Sequence, residues 1–566
     1  MKRLLVLAAL IVLPGCKCKP APVDPPARGP QPTEAWLKGE LPPEANQGTP
    51  VSGGTLTVRV PSEPAGLNRL HDQMIDATMV RYLMGPVYET LAEVDRAALP
   101  ENGQTPLLAT SWEESADHLT LTVHLRKGVT FHDGGPFTSR DVRATVEAVR
   151  NVKNQTASLR SQFVDLASLS TPDDFTVVAR WSKPYAYALH NFLTSLPMMS
   201  AASLQGDFDT LPVNRAPIGT GPFRFESWET GQKLTFVRAP QYWGTPAYLD
   251  RLVMRVVKDD TVATQLWEQG EFDLMTRIQP GVWRAIEAPV GANAWAIEGY
   301  HRISFLENNY SWIGWNEERP FFKDARVRRA LAMLYPAAEV ARHVDLGIEL
   351  PTTCPWYRLS ASCDPSVTPL PYDPAGAAAL LDEAGWKVRE GDGVREKDGV
   401  RFRFTFLANP HSVRLAKLVP LLVTELKRVG IEMDVEKVDS AIYLSRMRTH
   451  DFDAASLAWS TNEGVRDNYQ VFHSSQRDGG SNYVGYASPE VDALLEKIRL
   501  TFDPAARVEL EREVHRKLYA DQVYLFLTNR PALDAAKTRV RGLSASLAWY
   551  DLRKVWLAPA AGDAGH

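Results

Sequence analysis

The stretch Leu125-Arg126-Lys127-Gly128-Val129-Thr130-Phe131-His132-Asp133-Gly134, continued to Asp141-Val142, is where the local architecture reads most clearly. Upstream of it, Leu119 to Leu125 alternates apolar residues with Thr and His, the period of a strand with one buried face. Asp133-Gly134 marks a turn, because glycine takes up backbone angles closed to other residues. Thr138 with Asp141 three residues later has the form of a capping box, which predicts a helix running to about Asn151. Strand, turn and helix in succession make one unit of a mixed α/β chain. His132-Asp133 could be imagined as an acid/base pair, but within a strand-turn a structural role is the stronger reading.

Working toward the N-terminus, Gly53-Gly54-Thr55-Leu56-Thr57-Val58-Arg59-Val60 is a strand-like run opened by two glycines. Residues 17–50 are rich in Pro with Ala, Gly and Gln, as in Pro20-Ala21-Pro22 and Asp24-Pro25-Pro26. Such sequence builds no core and favours extended polyproline geometry, the property of a spacer. Residues 1–16 have the layout of an export signal. Lys2 and Arg3 are its charged start, and the apolar run Leu4 to Leu13 is short of the roughly 20 residues a membrane-spanning helix needs. The run ends in Leu13-Pro14-Gly15-Cys16, which resembles the lipobox of bacterial lipoproteins, with Pro14 an unusual middle residue. Lipid on Cys16 would hold a soluble domain at a bilayer, each buried CH₂ contributing about 0.8 kcal/mol. Cleavage by the ordinary signal peptidase would instead release a free protein. In an oxidising compartment Cys354 and Cys363, nine residues apart in a loop-like stretch, are expected to pair. Cys18 is left over.

Working toward the C-terminus, helix starts recur. Asp373-Pro374, Ser488-Pro489 and Asp503-Pro504 each put a capping residue before a proline at the first helical position, and Gly385 closes the first of these helices. Asp324 caps a helix with Val327, Ala330, Leu331 and Leu334 at helical spacing. Strand patterns at Phe402 to Leu407 and Ile431 to Val435 alternate with these helices, which predicts an α/β class.

A chain of 566 residues is long enough for two or three folding units. Its 44% hydrophobic residues, 23% charged residues and net charge of -5 describe a soluble globular protein and give no basic excess for nucleic acid. The 53 aromatic residues (15 Trp, 18 Tyr and 20 Phe) suit large apolar contact surfaces. Catalytic signatures are missing: no G-x-x-x-x-G-K loop, no H-E-x-x-H, no G-x-S-x-G. Gly219-Thr220-Gly221 lacks the third glycine of a dinucleotide fingerprint, and no compact His or Cys cluster suggests a metal. No catalytic residue, metal site or cofactor is therefore assigned.

Several segments, taken in order, resemble the family 5 extracellular solute-binding proteins, the oligopeptide, dipeptide and nickel-binding group. They are Pro61 to Asn68, Tyr88-Glu89-Thr90-Leu91, Leu108 to Trp112, and the stretch Leu125 to Gly134 with Asp141-Val142. Gly219-Thr220-Gly221-Pro222-Phe223, Tyr242-Trp243, Asp324 to Leu331, Asn482 to Tyr486 and Pro489 to Leu495 follow. The resemblance covers about Gly53 to Trp556. It implies a two-lobed α/β fold with a hinge and an inserted third subdomain. One lobe would combine residues 51–95, 212–308 and 535–566; the inserted subdomain would be 96–211 and the second lobe 309–534. It implies a monomeric receptor of an ABC importer, facing the periplasm or cell exterior, that closes on a peptide or peptide-sized solute and hands it to permease subunits.

In peptide-binding members an aspartate after the Trp of a strand-end motif pairs with the ligand's ammonium. Here the matching residues are Trp459, Ser460, Thr461 and Asn462, and Asn462 is neutral. A buried ammonium without an anionic partner is strongly penalised. Glu463 or Asp467 could substitute, although alternation turns Glu463 away from Asn462. The substitution argues against a free-amino peptide and for a blocked peptide, a sugar-like molecule or another neutral solute. Trp459 offers a flat face to a ligand. Trp315 with Asn316, then His71, Asp72 and Gln73 after the first strand, and Tyr483 from the far side complete the expected ligand-binding set. Two other classes compete: a sensory or scaffold lipoprotein on the same fold, and a secreted hydrolase whose carboxylates meet only on folding.

Overall fold

The computed structural model describes residues 48–74, 82–95, 103–285, 296–297, 299–410, 412–460, 467–543, 545–546 and 549–559. The strand Thr55–Val60 runs through the middle of an eight-stranded sheet, with Leu56, Val58 and Val60 fully buried. It lies parallel to Arg251–Val256 on one side and Leu274–Met275 on the other. Beyond these, antiparallel strands extend the sheet: Lys233–Arg238 and Phe223–Glu229 outward from the first neighbour, Pro531–Lys537 and Tyr300–Leu306 from the second. The alternation in Thr55–Val60 sets Leu56, Val58 and Val60 on one buried face, and on the other the buried Arg59 is held by Asp260 (2.7 Å).

A second sheet of five strands has the order Glu432–Lys437, Arg403–Ala408, Ala454–Ser460, Asn309–Trp315, Tyr524–Phe526. Its first three strands are parallel, joined by the helices Val413–Arg428 and Ser440–Arg448. Behind it, Trp315, Phe322, Trp386, Phe402 and Phe404 form an aromatic core. These two sheets are the centres of two lobes, an α/β two-lobed fold. The chain passes between them only twice among the described residues, over 307–308 and again over 527–530. The two crossings are pinned together by Asn309: its side chain accepts from the Arg530 amide (2.8 Å) and donates to the Arg530 carbonyl (2.8 Å).

A third, antiparallel sheet takes the order Ala109–Glu114, Thr120–Leu125, Thr176–Trp181, Leu166–Asp173. The predicted helix after Thr138 runs Ser139–Arg150 and buries Val142, Val146 and Val149. The anticipated capping box is present, with the Asp141 carboxylate accepting from the Thr138 amide at 2.8 Å. The other predicted starts hold as well. Asp324, Asp373, Ser488 and Asp503 each accept a hydrogen bond from a first-turn amide.

Markers distant in sequence meet in the first lobe. His132 accepts from the Gly219 amide (3.1 Å) and so donates through Nε2 to the Gly221 carbonyl (2.9 Å). The glycines are needed because a Cβ at Gly219 would lie 1.9 Å from the Val87 carbonyl. Next to this loop, the buried Glu89 carboxylate accepts from Tyr242 Oη (2.6 Å), Thr220 Oγ1 (2.8 Å) and Trp243 Nε1 (2.9 Å). Burial pushes its carboxyl up to about 7, against the lowering effect of those three donors and of Arg553. His132-Asp133 is thus structural.

Cys354 and Cys363 are joined by a disulfide. The loop it closes places Tyr357 so that its hydroxyl donates to the Leu306 carbonyl, at the first crossing (3.1 Å).

Candidate functional site

The antiparallel pair Asn309–Trp315 and Ala454–Ser460 sets the geometry of the site. Its register puts Ser460 opposite Asn309 and Trp315 opposite Ala454. The Ser460 end therefore meets the crossings, and the Trp315 end lies six residues away, about 20 Å at strand rise. Alternation then divides the residues between faces. Trp459 turns to one face, where it is half-buried and stacks on Tyr483 (centroids 5.7 Å, planes 26° apart) and Trp312 (6.2 Å, 27°). Trp312 in turn stacks on Tyr524 at 4.0 Å, so Trp459 is the outer plate of a rigid aromatic pile. Trp459 and Tyr483, expected from different parts of the sequence, are thereby brought together.

Burial raises the Tyr483 phenol above its ordinary value. Arg448 opposes this, and the Asp72 carboxylate adds to it from the first-lobe side. Asp72 is itself held by the Ser158 hydroxyl and, through its amide, by the Gln155 carbonyl (2.7 Å). Gln73 is exposed beside it. His71 differs from expectation. It is 3% exposed, accepts from the Gln73 amide at Nδ1 (3.2 Å), faces Asp209 at Nε2 (3.1 Å) and stacks on Phe208. Its ring shapes the loop that presents Asp72 and Gln73.

Trp315 and Asn316 also depart from the expected cleft position. Trp315 packs among the aromatic rings behind the second sheet. Asn316 is fully buried, donating to the carbonyls of His450 (3.0 Å) and Phe452 (2.8 Å) and accepting from the Glu318 amide (3.1 Å). A buried amide that closes three backbone groups is a structural lock. Thr461 and Asn462 lie outside the described residues, as does Glu463. Asp467, the other substitute for the missing aspartate, accepts from Tyr185 Oη (2.8 Å) and pairs with Arg499 (3.1 Å), so it is committed to the contact with the third sheet's unit.

On the opposite face of the strand, Ser456, Ala458 and Ser460 line a cavity of about 470 Å³ at the junction of the two lobes. That volume lies in the range of small-molecule sites, about 300–1,000 Å³. The first lobe gives Arg277, the two crossings give Glu307 and Arg530, and the second lobe gives Glu349, Arg414 and Tyr443. Arg414 reaches Asp345 (2.9 Å) and Glu349 (3.2 Å), and Arg530 reaches Glu349 (2.9 Å). Burial works to raise the Glu349 carboxyl, but Arg530, Arg414 and the Thr528 hydroxyl outweigh it and hold it below the ordinary value. Of the cavity residues, Ser460 alone was expected from sequence; positions 277, 307, 349, 414, 443 and 530 have no spacing that a motif could show. Among the described residues no group of three or more His, Cys, Asp or Glu is placed to hold a metal ion, and no helix is long and apolar enough to cross a membrane.

A cavity where two lobes meet, walled by fixed charges and small polar side chains, defines a binding protein that encloses its ligand between lobes. The sequence profile of the bacterial extracellular solute-binding proteins, family 5 Middle, matches residues 103–481. The chain belongs to that family. It is 28% identical over 522 residues to the oligopeptide-binding protein AppA of Bacillus subtilis, covering 90% of this chain and 93% of that one. It is 32% identical over 442 residues to Protein XP55 of Streptomyces lividans, covering 76% and 77%. The solved structure of AppA in complex with a nonapeptide superposes with a TM-score of 0.80 at 27% identity, over 90% of this chain and all of that one.

Proposed function

We propose that this protein is the receptor of an ABC importer that captures a peptide or peptide-sized solute between its lobes and delivers it to the permease. The observation that carries this reading is the cavity at the lobe junction, which takes its wall from both lobes and both crossings. A ligand touching both lobes stabilises the closed state by its differential affinity for that state, and the permease then distinguishes loaded from empty receptor. The nonapeptide bound by AppA supports a peptide-sized ligand here. Lipid on Cys16 and the Pro-rich spacer 17–50 tether the receptor at a bacterial membrane and hold it off the surface. We take the inserted subdomain as 96–211 and the second lobe as running from 309 to the crossing over 527–530 rather than to 534, since Pro531–Lys537 is a strand of the first sheet.

Native mass spectrometry of residues 19–566, before and after unfolding and refolding, tests the reading. A discrete extra mass lost on refolding, with fragments of peptide type, is the expected result. A protein that carries no extra mass and that no member of a mixed peptide panel stabilises against heat would overturn it.

A further inference from the structure

Away from the junction cavity, the unit of the third sheet makes its own contact with the second lobe. The loop 182–187 leads from the strand Thr176–Trp181 into the helix Ala188–Thr194, and it meets the turn between the helices Pro489–Arg499 and Pro504–Ala520. We infer that this contact is a clasp, which parts when the lobes open and holds them together before any ligand arrives. It is a property of the empty protein, so it can fail while the receptor reading stands.

The loop uses one device twice. Tyr185 and Tyr187 are each almost fully buried, and each gives its hydroxyl to a second-lobe carboxylate: Tyr185 to Asp467 (2.8 Å) and Tyr187 to Glu511 (3.0 Å). Each ring also lies under a second-lobe guanidinium, Arg499 at 4.5 Å from the Tyr185 centroid and Arg507 at 5.4 Å from that of Tyr187. The subdomain fixes the direction of the first donor, because Asn191 Nδ2 donates to Tyr185 Oη (3.1 Å) and leaves its O–H for Asp467. Between the two tyrosines the Ala186 amide donates to the Arg499 carbonyl (2.7 Å). The last carbonyls of a helix have no partner inside it, so the second lobe's helix is completed by the subdomain. At the rim, His118 stacks on Phe502 with centroids 3.7 Å apart and planes at 14°.

The subdomain belongs mechanically to the first lobe. Main-chain bonds fasten it there: Ala109 to the Leu91 carbonyl (2.8 Å), Met198 to that of Glu89 (2.9 Å), His132 to that of Gly219 (2.9 Å), and Asp72 to that of Gln155 (2.7 Å). The clasp instead rests mainly on side-chain tips. Opening about the crossings at 307–308 and 527–530 carries the second lobe away from the first and from whatever is fastened to it, so the seam that gives is the clasp. Parting wets both tyrosine rings and returns both carboxylates to water, which favours the closed state whether or not the cavity is filled. A receptor already closed for part of the time binds with a higher apparent affinity, in proportion to that fraction.

The test needs no ligand. Residues 19–566 are unfolded, refolded empty, and followed by hydrogen exchange resolved to single residues, with small-angle X-ray scattering alongside. The Ala186 amide of the empty wild type is expected to be protected. The double variant Tyr185→Phe, Tyr187→Phe removes two oxygen atoms and keeps both rings, so the fold is retained and amides within Thr176–Trp181 exchange as before. Its Ala186 amide should exchange at least about tenfold faster, and its radius of gyration should rise. An Ala186 amide that exchanges as an open chain in the empty wild type refutes the clasp, because the seam is then already parted. Unchanged Ala186 exchange in the double variant refutes it too, since the hydroxyls then hold nothing. Faster exchange at an unchanged radius of gyration shows a loop that frays without lobe opening, and likewise overturns it.

Discussion

Glu89→Gln should make this protein more stable at pH 8 and leave it nearly unchanged at pH 5. The carboxyl is 1% exposed, and burial raises it from 4.5 to about 7. The folded chain therefore holds a proton that the unfolded chain has already released. A raised carboxyl contributes stability that is fully present below pH 4.5 and is lost as pH climbs through 7. With about 1.4 kcal/mol per tenfold in proton affinity, the loss between pH 5 and pH 8 is about 2.5 kcal/mol. Glutamine mimics the protonated acid and keeps the network: its carbonyl can accept from Trp243 and Thr220, and its amide can donate to Tyr242, whose hydroxyl turns to accept. Guanidinium unfolding of wild type and variant at both pH values, followed by Trp fluorescence, measures the difference. The expected result is a wild type that weakens toward pH 8 relative to the variant. A variant destabilised more at pH 8 than at pH 5 would refute the argument, because it would show that ionised Glu89, held by Arg553, strengthens the fold.

Trp459→Ala removes the outer plate of the aromatic pile. It should weaken ligand binding about tenfold and abolish the ligand-induced change in Trp fluorescence, both read in one titration. Asn316→Ala leaves two carbonyls and an amide without partners and should cost about 2–3 kcal/mol of stability, seen by thermal melting, with the affinity of the folded protein unchanged. Reducing Cys354–Cys363, or replacing both with Ser, should cost about 2.5 kcal/mol, as expected from opening so short a loop. Melting curves of reduced wild type and double variant should coincide.

What sequence could reveal was whatever has a local cause. Helix starts at Asp324, Asp373, Ser488 and Asp503 were legible because a cap acts over three residues, and the strand at Thr55–Val60 because a buried face leaves an apolar residue at every second position after two glycines. Trp459 and Tyr483 were legible through the family resemblance, yet their stacking is a tertiary fact. His71, Trp315 and Asn316 were misplaced for a shared reason. A polar or aromatic residue beside a strand end looks the same in sequence whether it faces a cleft or locks backbone inside the lobe. Tyr185 and Tyr187 gave no sign at all, since what distinguishes them is their pairing with Asp467 and Glu511, 282 and 324 residues away.

The Asn309 clip has an implication for how such a chain can be rebuilt. The polypeptide goes into the second lobe and comes out of it at positions that hydrogen-bond to each other, Asn309 and Arg530. That is the topology of a cassette: a unit whose ends are neighbours can be cut out, its ends bridged by a short linker, and expressed alone. It can equally be transplanted between relatives without redrawing the host. Each lobe then becomes an exchangeable half-site, so hybrid receptors built at this junction would separate the contribution of Arg277 and Glu307 from that of Trp459, Tyr483 and Arg414.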